Sequence, residues 1–172
     1  MRLDANDFEL LGLPVRHAQD AATLDSRWKA LQAQVHPDRF AAEGASTQRV
    51  AMQWALRVNE AYQRLKDPLS RAAYLCELHG QPVQADTHTA MPAAFLMQQL
   101  SWREALESAE TAEAVEALAD EMALQRISLF ARLAAQIDNE HDWPGAAAQV
   151  RALMFITRFA EDIDRRLDAL VN

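Results

Sequence analysis

Apolar residues recur along this chain at the spacing of an α-helix, and nowhere with the alternation of a strand. Leu24, Trp28, Leu31 and Val35 fall at i, i+4, i+7 and i+11, one face of a helix that Asp20 can cap. Pro37 lacks an N–H and pushes the residue before it out of helical geometry, so that helix ends at His36. Val50, Trp54, Val58, Ala61, Tyr62 and Leu65 form a second stripe, on a helix predicted from a Ser46 cap to about Lys66. Two helices of this length joined by a short loop pack antiparallel. Ahead of them, Phe8 to Leu11 is a short apolar turn closed by Gly12-Leu13-Pro14. Behind them, Asp67-Pro68 reads as the cap and first residue of a helix that stops at Gly80. An aperiodic run follows to Met91. Three more helices are then predicted, over roughly 92–109, 111–139 and 143–171, with Asp142-Trp143-Pro144-Gly145 breaking the last two apart. Short turns between three helices make an up-down-up bundle. The core stripe of the last helix is Val150, Leu153, Ile156, Ala160, Ile163, Leu167 and Leu170.

Composition agrees with an all-α chain. Of 172 residues, 50% are hydrophobic and 24% charged, with only 4 Gly and 6 Pro, enough apolar material for one ordinary domain or two small ones. Charge separates the two halves. Residues 1–75 carry 10 Lys+Arg and 9 Asp+Glu, whereas residues 76–172 carry 7 and 16, so a near-neutral first part precedes a strongly acidic second one. No patch is basic enough to neutralise several phosphates, which argues against nucleic acid as a partner. No apolar run has the length of a membrane span, and the opening residues MRLDANDF are unlike a signal peptide. A cytoplasmic, membrane-free protein is expected.

Catalytic and metal chemistry find little support. Cys76 is the only cysteine, so no internal disulfide or Cys-cluster metal site is available. Cys76 and His79 have C-x-x-H spacing without a second pair to complete a zinc set, and Cys76 reads as a small buried residue. His36 and Asp38 flank a proline on a loop tip, with neither a nucleophile nor a Gly-rich phosphate loop beside them. No enzyme, resident cofactor or metal is expected. The acidic run from Glu104 to Glu121 reads as a solvated helix face.

The tripeptide His36-Pro37-Asp38 between two helices resembles the J domain of DnaJ-type co-chaperones. A chance HPD in a chain of this length is an event of about one per cent, and the likeness extends to DFELLGLP at the start and NEAYQRLKDPLSRAAYL at 59–75. The resemblance implies that the first part docks on the ATPase domain of a DnaK-type chaperone and stimulates it. His36, Pro37 and Asp38 match the family tripeptide, and Arg27, Lys29 and Arg39 match its basic contact surface, with Ala30 and Gln34 standing where many relatives are basic. The Gly/Phe-rich stretch and repeated cysteine centres of general DnaJ proteins are missing. The second part, with AFLMQQLSWREAL at 94–106 and RALMFITRFAEDIDRRLDALV at 151–171, is similar instead to the HscB family, J proteins of iron–sulfur cluster assembly. This implies two partners, the chaperone HscA and the cluster scaffold IscU. It also implies a J domain over 1–76, a linker over 77–91 and a scaffold-binding three-helix bundle over 92–172. A J protein serving another client, and an acidic helical adaptor that stimulates no ATPase, are the alternatives.

The first bundle helix carries two apolar rows. Phe95, Trp102, Leu106 and Ala109 form one. Met97 and Leu100, with Leu96 flanking and Glu104 below, form another on a different side. A small bundle buries one stripe per helix, so the second row is expected at the surface, where an apolar patch rimmed by charge marks a partner site. Phe155 lies off the stripe of the last helix. The resemblance assigns Leu96, Met97, Leu100, Glu104 and Phe155 to scaffold binding, with Ser101 and Ser108 replacing acidic residues of the family pattern.

Overall fold

A computed structural model describes Arg2, residues 4–84 and residues 91–171, and among these every regular element is helical. The chain divides into two compact units, residues 1–75 and 76–172.

The first unit opens with α1 (Asp7–Leu11). Asn6 Oδ1 accepts from the Glu9 N–H at 2.9 Å, and the Glu9 carboxylate accepts from the Asn6 N–H at 3.1 Å, a reciprocal cap that lets five residues hold a helix. Gly12 closes it at φ +64°, a left-handed turn open to glycine at no steric cost. In α2 (Ala21–Val35) Asp20 caps as expected, accepting from the Thr23 N–H and hydroxyl at 2.8 and 2.6 Å. Those two bonds hold its carboxyl below the usual range. His36 is extended, with ψ 127° ahead of Pro37, and Pro37–Phe40 forms one 3₁₀ turn. Then α3 (Ala45–Lys66) runs back. Ser46 does not cap it. The helix begins at Ala45, its cap position two residues earlier at Gly44, with no side-chain cap. Val50 is exposed, and the buried stripe starts instead at Ala51. Asp67 accepts from the Ser70 N–H at 2.8 Å at the head of α4 (Pro68–Leu78), and Gly80 lies beyond its end at φ +75°.

The seam between α2 and α3 is largely polar. Only Leu24 and Val35 of α2 are fully buried. Between them Trp28 stacks on Tyr62 at 4.5 Å, its Nε1 donates to Asn59 Oδ1 at 2.9 Å, Gln32 donates to the Ala55 carbonyl, and the Tyr62 hydroxyl donates to Asp25. Helix α1 is fastened differently. Asp7 is completely buried, with Arg57 Nη1 2.7 Å from one oxygen and Arg64 Nη1 2.9 Å from the other. The Asp7 N–H donates to the Tyr74 hydroxyl at 3.1 Å, and Arg64 lies over the Tyr74 ring. One residue thus ties α1 to α3 through its carboxylate and to α4 through its backbone N–H.

The second unit is built on α5 (Ala93–Ser108), α6 (Ala112–Ala135) and α7 (Trp143–Val171). Thr111 caps α6 by accepting from the Ala114 N–H. Its core joins Trp102 of α5, Leu118 and Met122 of α6, and Ile156, Phe159 and Ile163 of α7. Trp102 is buried with its Nε1–H donating to Glu121 at 2.8 Å. Past Ala135 the helix widens into a π turn, Gln136–Glu140, before His141 reverses the chain at φ +53°. Gly145 follows, where any Cβ would collide with the Asp142 carboxylate and the Gln136 amide. Part of the stretch expected as linker packs within this unit. His79 stacks on Trp143 at 3.7 Å, and buried Val83 accepts from Arg151 through its carbonyl. Residues 85–90 lie outside the described residues.

Removing Asp7 leaves two arginines facing each other across a buried space. Asp7→Ala should destabilise the first unit by about 3 kcal/mol, measured by urea unfolding. A loss under about 1 kcal/mol would mean that the arginines simply turn to water.

Candidate functional site

The loop tip is a consequence of Pro37. Freed from the helix, His36 turns its ring over the following residues, and Nδ1 accepts from the Asp38 N–H at 3.3 Å. Asp38 Oδ2 lies 3.6 Å from the same nitrogen, with side-chain exposures of 56% for His36 and 91% for Asp38. The Arg39 N–H donates to the His36 carbonyl at 3.1 Å. The three residues of the tripeptide are therefore held as one turn, with both polar side chains facing solvent and neither used by the core.

Arg39 plays a part that the sequence did not reveal. Its Nη1 donates to the Ala33 carbonyl at 3.0 Å, satisfying one of the orphan acceptors in the last turn of α2. Its stem thereby braces the tip against the helix. Arg27 and Lys29 are both exposed on α2. Two residues apart, they point about 200° from each other around the axis. Arg27 leans toward Gly12, and Lys29 stands on the opposite flank. The structure brings the tripeptide and Arg39 together but does not set Arg27 and Lys29 side by side.

On the second unit, the outer row of α5 is exposed: Leu96 by 43%, Met97 by 68% and Leu100 by 57%. Glu104 is exposed below them. Phe155 is different. It is half-buried and packs against the core through its ring, parallel to Trp102 at 6.2 Å and to Phe159 at 5.6 Å, with the Phe95 edge at 5.9 Å. It serves the bundle on one side and floors an open groove of about 280 Å³ between α5 and α7 on the other, where Leu96 is also found. Met97, Leu100 and Glu104 lie outside that groove. Three arginines that sequence reasoning passed over, Arg103, Arg151 and Arg158, line it too. Arg151, Phe155 and Arg158 fall at i, i+4 and i+7 along α7, a signal visible in the sequence. The approach of Arg103 from α5 was not.

Cys76 is fully buried. Burial pushes its thiol up to about 11, against the opposing charge of Arg151. Among the described residues, no group of three or more His, Cys, Asp or Glu is placed to hold a metal ion, and no helix is long and apolar enough to cross a membrane.

Residues 91–164 match the family described as HSCB C-terminal oligomerisation domain. The chain is 49% identical over 171 residues to the Co-chaperone protein HscB homolog of Burkholderia thailandensis, covering 98% of this chain and 97% of that protein. It is 47% identical over 173 residues to the Paraburkholderia xenovorans homolog, at 99% and 98% coverage. Among solved structures, chaperone HscB from Vibrio cholerae aligns with a TM-score of 0.80 at 36% identity, over 96% of this chain and 99% of that one. Human co-chaperone protein HscB aligns with a TM-score of 0.88 over 96% of this chain and 83% of that one, a likeness of fold at 24% identity.

Two measurements check the geometry. Replacing Leu96, Met97 and Leu100 with Ala should change stability by no more than about 0.5 kcal/mol each, since the row is at the surface and Ala favours helix. Phe155→Ala should cost about 2–3 kcal/mol, because half of that ring belongs to the core. Calorimetric unfolding separates the two classes, and equal losses would contradict it. For Cys76, a folded-state value raised from 9 to about 11 means that the neutral thiol is favoured in the native state. Its contribution is fully present below pH 9 and is lost as pH rises from about 9 to about 11. Cys76→Ser should flatten that stretch of the stability profile.

Proposed function

The chain belongs to the HscB family of co-chaperones, and from that premise we propose that it stimulates the ATPase of a DnaK-type chaperone, HscA, and delivers the scaffold IscU to it in the cytoplasm. In this reading residues 1–76 act as the J domain, 77–91 join the parts, and 92–172 bind the scaffold. The chain performs no chemistry itself. It accelerates its partner's hydrolysis and supplies the substrate protein, so iron–sulfur proteins mature faster.

The observation that carries the reading is the loop tip. His36 and Asp38 are fixed as a single turn, exposed, and free of any role in the core. A carboxylate so presented is available to a cation on the chaperone, and its orientation is set before contact, which lowers the entropy lost on docking. Arg39, braced on Ala33, and the exposed Arg27 and Lys29 supply positive charge around it. With these cations on separate flanks of α2, their shared effect is to steer an acidic partner toward the tip over a Debye length of about 8–10 Å.

Scaffold binding is assigned to Leu96, Met97, Leu100, Glu104 and Phe155. The exposed row on α5 supports this, since apolar side chains at such exposure are unfavourable in water and gain about 25 cal/mol per Å² when a partner covers them. The open side of Phe155 extends the surface onto α7. Aromatic anchors of this kind dominate many interfaces.

Asp38→Asn should leave the helical circular dichroism unchanged and remove stimulation of the HscA ATPase in a steady-state assay. The Leu96→Ala, Met97→Ala, Leu100→Ala variant should retain stimulation by the chain alone and lose the further increase that the scaffold brings. Full stimulation by folded Asp38→Asn refutes the J-domain mechanism, and an undiminished response to scaffold in the triple variant refutes the client site.

A further inference from the structure

The groove between α5 and α7 differs in charge from the unit that contains it. Residues 76–172 hold 7 Lys+Arg against 16 Asp+Glu, yet three of those seven cations, Arg103, Arg151 and Arg158, line this one groove. Arg151 and Arg158 sit two turns apart on α7, about 10 Å along the axis, with Phe155 between them. Arg103 reaches over from α5, its guanidinium carbon 5.6 Å from the centre of the Phe155 ring.

The three arginines are not equally engaged. Arg151 donates to the Val83 carbonyl at 3.1 Å, so it is partly structural. Asp162, the one acidic residue among the described lining, is paired with Arg165. Among the described residues, Arg103 has its stacking contact with Phe155 and no ion pair or hydrogen bond, and Arg158 has neither. Two guanidinium groups with unspent donors thus face an apolar floor formed by Leu96, Phe155 and Phe159. An arginine fork matches a carboxylate in geometry and charge.

We propose that this groove takes a carboxylate-bearing apolar segment of the scaffold protein, the carboxylate held by Arg103 and Arg158 and the neighbouring apolar side chain resting on Phe155. The inference rests on the client-docking reading above and extends it, because the groove is continuous with the exposed row through Leu96. A volume of about 280 Å³ suits one or two side chains. A membrane surface would require a broad basic face, which a unit with this charge balance lacks.

The test is a calorimetric titration of the full chain with purified IscU at about 0.05 M and about 0.5 M NaCl. Both arginines are exposed, so Arg103→Gln, Arg158→Gln should fold with an unchanged melting temperature and stimulate HscA normally by itself. Its affinity for the scaffold should fall about tenfold at low salt, and the difference from the parent should nearly vanish at high salt. Arg103→Lys, Arg158→Lys should recover the salt dependence. An unchanged affinity and salt dependence in the Gln pair overturns the proposal. So does a change in oligomeric state of the Gln pair without scaffold, which would make a second copy the occupant. The Leu96, Met97, Leu100 alanine variant distinguishes the two levels: if it binds scaffold like the parent, the client reading itself fails. If it loses binding while the Gln pair keeps it, only the arginine groove is wrong.

Discussion

A small three-helix bundle has one interior, and each helix can turn only one stripe toward it. Helix α5 carries more apolar surface than that geometry accepts. Trp102 and Ala109 fill its share of the core, together with Phe95 and Leu106 at the margin, and Leu96, Met97 and Leu100 are left in water. The excess is concentrated on one helix and abuts the groove between α5 and α7. Placing Phe155 at the boundary lets one ring pack against Trp102 and Phe159 while its other side remains available. A surface built this way needs no rearrangement to receive a partner, since its anchor is already held by the core.

The first unit solves a different problem, that of holding a short loop still. Pro37 supplies the break, His36 and Arg39 fold the turn onto itself and onto α2, and the hairpin beneath is registered by specific hydrogen bonds from Trp28, Gln32 and Tyr62. The buried Asp7, shared by Arg57 and Arg64, anchors the opposite face of α3. Hydrogen bonds and ion pairs are directional where apolar contacts are not. A seam made of them fixes how α2 slides along α3, and hence where the tip stands.

Much of this was legible in one dimension. The helix stripes, the Asp20 and Asp67 caps, the break at Pro37 and the second row on α5 all follow from spacing and residue type. The failures have common causes. Ser46 and Val50 sit at the loosely determined start of α3, where a glycine turn set the boundary and the first stripe position faces solvent. The burial of Asp7 has no local signal, because it depends on arginines fifty or more residues away. Phe155 was rightly placed off the stripe, but a helical wheel cannot show that α5 brings Phe95 and Trp102 up to meet it. The groove arginines share this limit, since Arg103 and Arg158 become neighbours only when two helices pack.

The polar seam between α2 and α3 also has a thermal consequence. Heat capacity rises when apolar surface enters water and falls when polar surface does. Parting α2 from α3 exposes Leu24 and Val35, but also the amide of Gln32, Asn59, the Tyr62 hydroxyl and Asp25, whose contribution has the opposite sign. The polar groups of the seam therefore offset part of the heat-capacity rise that its apolar contacts, the Trp28–Tyr62 stack included, produce when the hairpin opens. The aromatic core of the bundle has the reverse character, with strong curvature and weakening in the cold. The two units therefore differ in how strongly the stability of their packing curves with temperature.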